Sequence, residues 1–122
     1  MPADFSQVAA LVASMKATGP KVQAAAVKTV RATTNATAAR ARRNAPFRTG
    51  ALRRSIRVRT EGQVRVLAKG LVEATADHAP MVEYGTARTD PQPFMNPAAD
   101  SEQEPFYAEV DRALFRAAGL DR

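Results

Sequence analysis

The run from Lys21 to about Arg43 contains neither proline nor glycine, and it constrains the fold more than any other stretch of the chain. Small and β-branched residues recur along it at intervals of three and four, which is the spacing of one helical face. This seam consists of Val22, Ala26, Val30, Thr33, Thr37 and Ala41. A helix of this length spans roughly 35 Å at about 1.5 Å per residue. We therefore predict a long helix whose narrow face packs closely against the rest of the domain.

A shorter helix is predicted before it. Asp4 suits an N-cap, and the apolar residues that follow fall on one helical face. These are Phe5, Val8, Val12 and Met15. Thr18-Gly19-Pro20 ends this helix, and Pro20 also suits the first turn of the next one. Residues 1–43 are thus predicted to be the helical part of a single domain spanning 1–122.

A period of two replaces the helical period over residues 51–77, which we predict to be a β-meander. Its three strands are centred on Leu52 to Val58, Val64 to Ala68 and Val72 to Ala76, with turns at Glu61-Gly62 and Lys69-Gly70. One face of this sheet is apolar and is expected to pack on the helices. The opposite face is cationic and presents Arg53, Arg57, Arg59, Arg65 and Lys69.

Residues 78–96 are predicted to form a corner and a long loop. Ala79 to Tyr84 can make a single helical turn, and Gly85 permits a backbone geometry that other residues resist. Thr86 to Gln92 is predicted to be a loop, and Thr86 to Phe94 is too rich in proline for regular structure.

A C-terminal helix is predicted over 97–118. Asn96-Pro97 resembles a cap followed by a first-turn proline, and Pro105 is expected to kink the helix or divide it. The resulting class is α+β, with two N-terminal helices, an antiparallel sheet of about three strands, a short helical turn and a final helix packed on one face of the sheet.

The charge is divided between the two halves of the chain. Met1 to Thr60 holds twelve Lys or Arg against one acid, whereas Glu61 to Arg122 holds six against eleven. The nearest acidic partner for the basic half is the second half of the same chain or of a neighbouring copy. The cationic sheet face has three interpretations: it is solvated, it contacts an adjacent subunit, or it contacts DNA phosphates.

Composition also limits the chemistry. The chain has no Cys and one His, so thiolate chemistry is excluded and a histidine-based metal site is not expected. Asp77, His78 and Ser55 could be imagined as a hydrolase triad, but no nucleophile elbow is present. We therefore predict no catalysis and no cofactor. No apolar run reaches the roughly 20 residues that span a membrane, and no signal peptide is evident, so no membrane partner is expected.

Four motifs in order carry a family resemblance. They are Ala45-Pro46, Thr49-Gly-Ala-Leu-Arg-Arg-Ser-Ile56, Ala79-Pro-Met-Val-Glu-Tyr-Gly-Thr86 and Pro93-Phe-Met-Asn-Pro-Ala98. The segment from about Ala45 to Ala118 resembles the small tail-completion or head-to-tail joining family of long-tailed DNA bacteriophages, usually described as gene-product-ten-like.

The resemblance implies a structural virion protein, made in the host cytoplasm and located at the junction of neck and tail. It would form a ring of six subunits that completes the tail and joins it to the head, while genomic DNA passes through the lumen without sequence specificity. Its other partners would be the adaptor or stopper proteins of the neck and the tail terminator or tail-tube proteins. The isolated protein is expected to be monomeric, because neck proteins often close into rings only on a docking template.

Ten residues are interface candidates, and four are candidate structural turns. The interface candidates are Arg53, Arg57, Arg59, Arg65, Glu83, Tyr84, Thr86, Arg88, Phe94 and Met95. The turn candidates are Gly50, Gly85, Pro93 and Pro97. Whether residues 86–95 pack on their own subunit or on a neighbour stays open at this point, as does a surface ion pair or helix-turn contact for Glu83. A tail terminator ring is the alternative function, and a basic nucleic-acid-binding module is an alternative of another class.

Overall fold

The computed structural model describes residues 8–16, 20–47, 50–61 and 66–117, which form an α+β domain as the sequence predicts. The elements in chain order are β1 (Val8–Lys16), α1 (Pro20–Asn44), α2 (Ala51–Ser55), β2 (Ile56–Glu61), β3 (Val66–Ala74), α3 (Ala79–Tyr84) and α4 (Met95–Ala117). The three strands form one antiparallel sheet in the order β1-β3-β2. α1 packs across the sheet and α4 packs against α1. None of the described helices is long and apolar enough to span a membrane.

The predicted first helix is wrong, because Val8–Lys16 is an edge strand paired with β3. The register shifts between Leu11 and Ala13, where one extra residue interrupts the alternation that would identify a strand. The apolar residues therefore recur at a spacing that resembles a helical face. The predicted cap, Asp4, lies outside the described residues.

The predicted meander is also wrong in its strand boundaries. Leu52 lies in the short helix α2, and Lys69-Gly70 lies inside β3 and is not a turn. β2 and β3 pair with Ile56 opposite Ala74 and with Glu61 opposite Lys69. β3, the central strand of the sheet, is therefore continuous through Lys69-Gly70, where the sequence predicts a turn.

Gly70 lies in β3 because α1 crosses the strand there at very short range. A Cβ atom added to Gly70 would lie 2.0 Å from Thr34 Oγ1 and 2.9 Å from Val30 Cγ1. No side chain fits in that space without movement of the helix. The glycine therefore serves close packing between helix and sheet, and its conformational freedom is not needed.

The buried face of α1 is rich in threonine and alanine. Thr29 and Thr34 donate their hydroxyls to the carbonyls of Ala25 and Val30 four residues earlier, at 3.0 and 2.7 Å. Such local bonds let a polar side chain be buried at little cost. Within the part of the chain that the structure describes, Thr37 Oγ1 is a buried hydroxyl without a hydrogen-bond partner.

α4 runs antiparallel to α1. Its start packs with the end of α1, where Met95 and Ala98 join a core cluster with Ala38 and Ala41. Farther along α4, Phe106 packs in a second cluster. That cluster also contains Ala26 and Val30 of α1 and Ala68 of β3. The helix begins two residues before the predicted start.

Pro105 does not divide α4, which continues to Ala117. Pro105 and Ser101, whose carbonyl loses its helical donor, are both exposed, so solvent can satisfy that carbonyl. One ion pair, Arg40 with Glu102, links the two long helices across their solvent side. Because the Arg40 side chain is largely exposed, this pair adds less than about 1 kcal/mol to stability.

Replacing Gly70 with alanine should destabilise the domain by about 1 to 3 kcal/mol, because the new methyl group overlaps Thr34. Urea unfolding of the purified chain measures the change. Adding Thr34→Ala removes the nearest overlapping atom, so the double variant should be more stable than the sum of the two single effects. Strict additivity of the two substitutions would contradict this packing.

Candidate functional site: the corner between α3 and α4

α3 coincides with the predicted helical turn and ends at Gly85. Gly85 has φ 78° and ψ 175°, a conformation that residues with a side chain rarely adopt. Its N–H donates to Met81 O at 2.9 Å. An added Cβ would lie 2.8 Å from Pro91 N and 2.9 Å from Thr89 O, so the following loop folds back directly onto this glycine.

Residues 86–92 form a compact loop that returns to its own α3. Thr86 N–H donates to Thr89 O at 2.9 Å, and the Thr86 hydroxyl accepts from Thr89 N–H at 3.1 Å. Gln92 N–H then donates to Val82 O at 2.8 Å, which brings the chain back beside the helix. The loop is therefore built from contacts within one subunit.

The carboxylate of Glu83 holds the start of α4. The residue is only 2% exposed. Oε1 accepts from the backbone N–H groups of Phe94 at 3.1 Å and Met95 at 2.8 Å, and Oε2 accepts from Asn96 N–H at 3.2 Å. These amides have no acceptor inside the helix, and a negative charge is favoured at the positive end of its dipole. Glu83 thus caps α4 from a different helix.

Phe94 and Met95 are seated in the core by this contact. Both are 0% exposed and are the largest fully buried side chains of the described chain. Asn44 of α1 adds a bond from its side-chain amide to Phe94 O at 3.3 Å. Burial of each side chain stabilises the fold by roughly 1.5 to 3 kcal/mol. The side chains fill the core of their own subunit and are not on its surface.

Two sequence interpretations are corrected here. The buried Glu83 side chain is neither a surface ion pair nor an exposed interface residue, and the helix cap is Glu83 and not Asn96. Glu83 lies eleven to thirteen residues before the amides that it caps, and no local sequence spacing predicts such a cap. The signal in the sequence is the Glu83-Tyr84-Gly85 corner shortly before the start of a helix, because it indicates that the chain turns back sharply there.

Arg53 is likewise not on a sheet face. It lies on α2, where its Nη2 donates to Ala45 O at 3.3 Å and its guanidinium lies 4.9 Å from the centre of the Phe47 ring. It therefore helps to close the end of α1. Gly50, at φ 81°, precedes α2 and makes the turn that brings Arg53 into this position.

The face of β2 and β3 turned away from α1 has mixed charge. Arg57 lies opposite Glu73, and Arg59 lies opposite Leu71. Together with Val58 they line a shallow groove of about 170 Å³. Both arginines are exposed, and Arg65, the last of the four arginines predicted for this face, lies outside the described residues. We call the surface formed by Arg57, Arg59, Leu71 and Glu73 the arginine groove.

The remaining candidates are on the surface near the corner. Tyr84 is 64% exposed, and Thr86 and Arg88 are exposed in the loop. Pro93 and Pro97 are exposed as well, with Pro97 in the first turn of α4. A cleft of about 340 Å³ lies between α2, α3 and the loop. Its lining includes Leu52, His78, Met81, Val82 and Asp90.

The residues imagined as a triad have local roles. The Ser55 hydroxyl donates to Leu52 O at 2.7 Å, within its own helix. His78 is exposed at the N-cap position of α3 and makes no capping bond with its side chain. Among the described residues, no group of three or more His, Asp or Glu could hold a metal ion.

The fold and the corner define a small α+β domain. Its most tightly packed residues, among them Glu83 and Gly85, hold the domain's own fold together. Over residues 9–85, the chain matches the family described as "Bacteriophage HK97-gp10, putative tail-component". The chain belongs to this family of phage tail components, and the resemblance seen in its motifs is confirmed. The match begins in β1, well before the motifs, and ends at Gly85, before the loop and α4. No curated protein and no solved structure matches the chain.

Glu83→Gln should destabilise the domain by about 2 to 3 kcal/mol, because charge-assisted bonds are lost and the new amide donor faces a backbone N–H. Thermal or urea unfolding measures the change. Glu104→Gln, which removes an exposed carboxylate from the same helix, is the matched control and should shift stability by less than about 0.5 kcal/mol. Equal stability of the two variants would contradict the capping role.

Gly85→Ala should cost at least about 2 kcal/mol, because a left-handed backbone and an overlap with the Pro91 backbone both oppose the methyl group. Differential scanning calorimetry gives the shift in Tm. Ala87→Val, an exposed change in the same loop, should leave Tm nearly unchanged. If the Gly85→Ala variant has the same Tm as the parent, the close packing of the loop on Gly85 is disproved.

Proposed function

We propose that the protein is the tail-completion subunit of a long-tailed phage. Six copies form a ring at the head-proximal end of the tail, the ring joins the tail to the head, and the genome passes through its lumen. The observation that carries the proposal is membership of the phage tail-component family. The protein is accordingly a virion component, at the junction of tail and neck.

The architecture supports ring formation. A closed ring with rotational symmetry places one surface of each subunit against a different surface of the next. This domain has two dissimilar sides, since α1 and α4 cover one face of the sheet and the arginine groove lies on the other. Such a layered subunit can stack side by side around an axis.

The corner is proposed to contact neighbouring neck or tail proteins. Tyr84, Thr86 and Arg88 are exposed on a segment that Glu83 and Gly85 hold in a fixed shape. A rigid exposed aromatic residue loses little entropy on binding, which suits a docking surface. The partners there are adaptor or stopper proteins on the head side and terminator or tube proteins on the tail side.

Assembly alone is the proposed mechanism, without catalysis or a cofactor. DNA in the lumen is contacted through phosphates, independent of sequence. A lumen that bound DNA tightly would retard its passage, so the two exposed arginines of the groove are assigned to protein contacts.

The alternative within the same class is a tail terminator, the ring that caps the tail tube. A small α+β ring former fits both roles. The two roles predict different particles when the protein is missing. A missing cap leaves tube growth unchecked and gives tails of uncontrolled length, whereas a missing joining ring leaves tails of normal length that do not attach to heads.

Disrupting the gene in the phage tests the proposal. Electron microscopy of the lysate should show full heads and separate tails of normal length, and supplying the protein in trans should restore joined particles. Cryo-electron microscopy of complemented particles should locate one ring of the protein between tail and head. Purified infectious particles that lack the protein would overturn the proposal.

A further inference from the structure

The outer side of α4 carries a regular stripe of acidic residues around a tyrosine. Asp100, Glu104, Tyr107 and Asp111 follow one another at intervals of four, three and four, so they share one helical face. All four are exposed, and Tyr107 is 58% exposed. We call this surface the acid–tyrosine stripe. Its acidic residues lie away from Phe106 and Val110, which pack in the core, and the Tyr107 ring lies beside the Phe106 ring at 5.9 Å between centroids.

The arginine groove offers complementary charge, because its two arginines outnumber its one acid, Glu73, which lies opposite Arg57. Two exposed guanidinium groups flank a half-buried leucine in a groove of about 170 Å³. The groove is shallow and open, so an aromatic ring can lie on it beside Leu71. Guanidinium groups bind carboxylates through charge-assisted bonds and also bind the faces of aromatic rings. In the described part of the chain, neither Arg57 nor Arg59 forms an ion pair.

We infer that the acid–tyrosine stripe of one copy docks in the arginine groove of the next copy, and that this contact is the repeating interface of the ring. Tyr107 enters the groove beside Leu71. Glu104 and Asp111, one turn before and after it, pair with Arg59 and Arg57. This inference rests on the proposed ring and names the surfaces that build it.

The placement of the two surfaces favours a head-to-tail contact. The stripe lies on the outside of the helix layer, and the groove lies on the opposite side of the sheet. Each subunit therefore presents its stripe in one direction and its groove in the other, which a heterologous ring requires. Residues 104 and 111 are about 10.5 Å apart along a helix, whereas the Cα atoms of alternate strand residues are about 6.6 Å apart, so the two arginine side chains must spread apart to reach both carboxylates.

A second exposed cationic surface is on the wrong side for this geometry. Lys28 and Arg31 are exposed on α1, which lies in the same helix layer as α4. Pairing α4 with α1 of another copy would join two helix layers and leave the arginine groove outside the contact. A substitution of these two cations is therefore the matched control for the groove.

Site-directed cross-linking tests the contact directly, because the parent chain has no cysteine. Phage particles assembled with the double variant Glu104→Cys/Arg59→Cys are treated with a short bis-thiol reagent. Denaturing gels should show a ladder of cross-linked species that ends at the closed ring. Particles made with either single variant should give no ladder, and a mixture of the two single variants should give dimers only.

The outcomes separate this inference from the proposed function. Particles that contain the ring but give no ladder would overturn the stripe-to-groove contact and leave the proposed function standing. Efficient dimer formation by Glu104→Cys alone would also overturn it, because it indicates a two-fold contact between α4 helices. Absence of the protein from infectious particles would overturn both.

Charge reversal gives a second test that needs no cysteine. Arg57→Glu/Arg59→Glu and Glu104→Arg/Asp111→Arg should each lower incorporation into particles by at least about tenfold. The quadruple variant that combines all four substitutions restores opposite charges across the contact, so it should be incorporated into particles again. Lys28→Glu/Arg31→Glu should assemble normally. Loss of assembly in that control, or no loss in the two groove and stripe variants, would overturn the inference.

Discussion

The bond from Glu83 to the start of α4 is the interaction on which the rest of the structure depends. One carboxylate satisfies three successive backbone amides, at 2.8 to 3.2 Å, that have no acceptor inside the helix, and two of them are buried. Because the carboxylate comes from α3, it sets the position of α4 relative to the corner. The seating of Phe94 and Met95 in the core follows from this position.

The rest of the core relies on close approach and not on large side chains. The chain has no Trp, and aromatic residues make up 6% of it. Ala and Thr along α1 and the bare backbone of Gly70 let helix and sheet come together, so that small groups are in van der Waals contact. Several large apolar side chains remain exposed, among them Phe47, Tyr84 and Tyr107. Exposed aromatic side chains of this kind are typical of surfaces that contact other proteins.

The sequence predicts the elements that depend on local patterns. The α+β class follows from the change of period, and the helical turn at Ala79–Tyr84 follows from its Ala-Pro start and its glycine end. The strand β1 escapes prediction because its pairing with β3 is non-local and its register shift disrupts the alternation. The sequence predicts a turn at Gly70, which lies within β3, because a glycine needed for close packing cannot be told in the sequence from a glycine needed for a turn. The cap by Glu83 is a tertiary contact that no local spacing rule contains.

The corner is a tightly built part of the fold, because Glu83 and Gly85 fix the path of the chain there. Family membership makes the protein a phage tail component, and its two-layer fold has dissimilar sides. Amide hydrogen exchange of the isolated chain tests directly whether the Glu83 carboxylate holds the first backbone amides of α4. The amides of Phe94 and Met95 should exchange as slowly as those of the central strand β3, because the buried carboxylate holds them. Exchange of these two amides at the rate of the exposed loop residues Ala87 and Asp90 would contradict it.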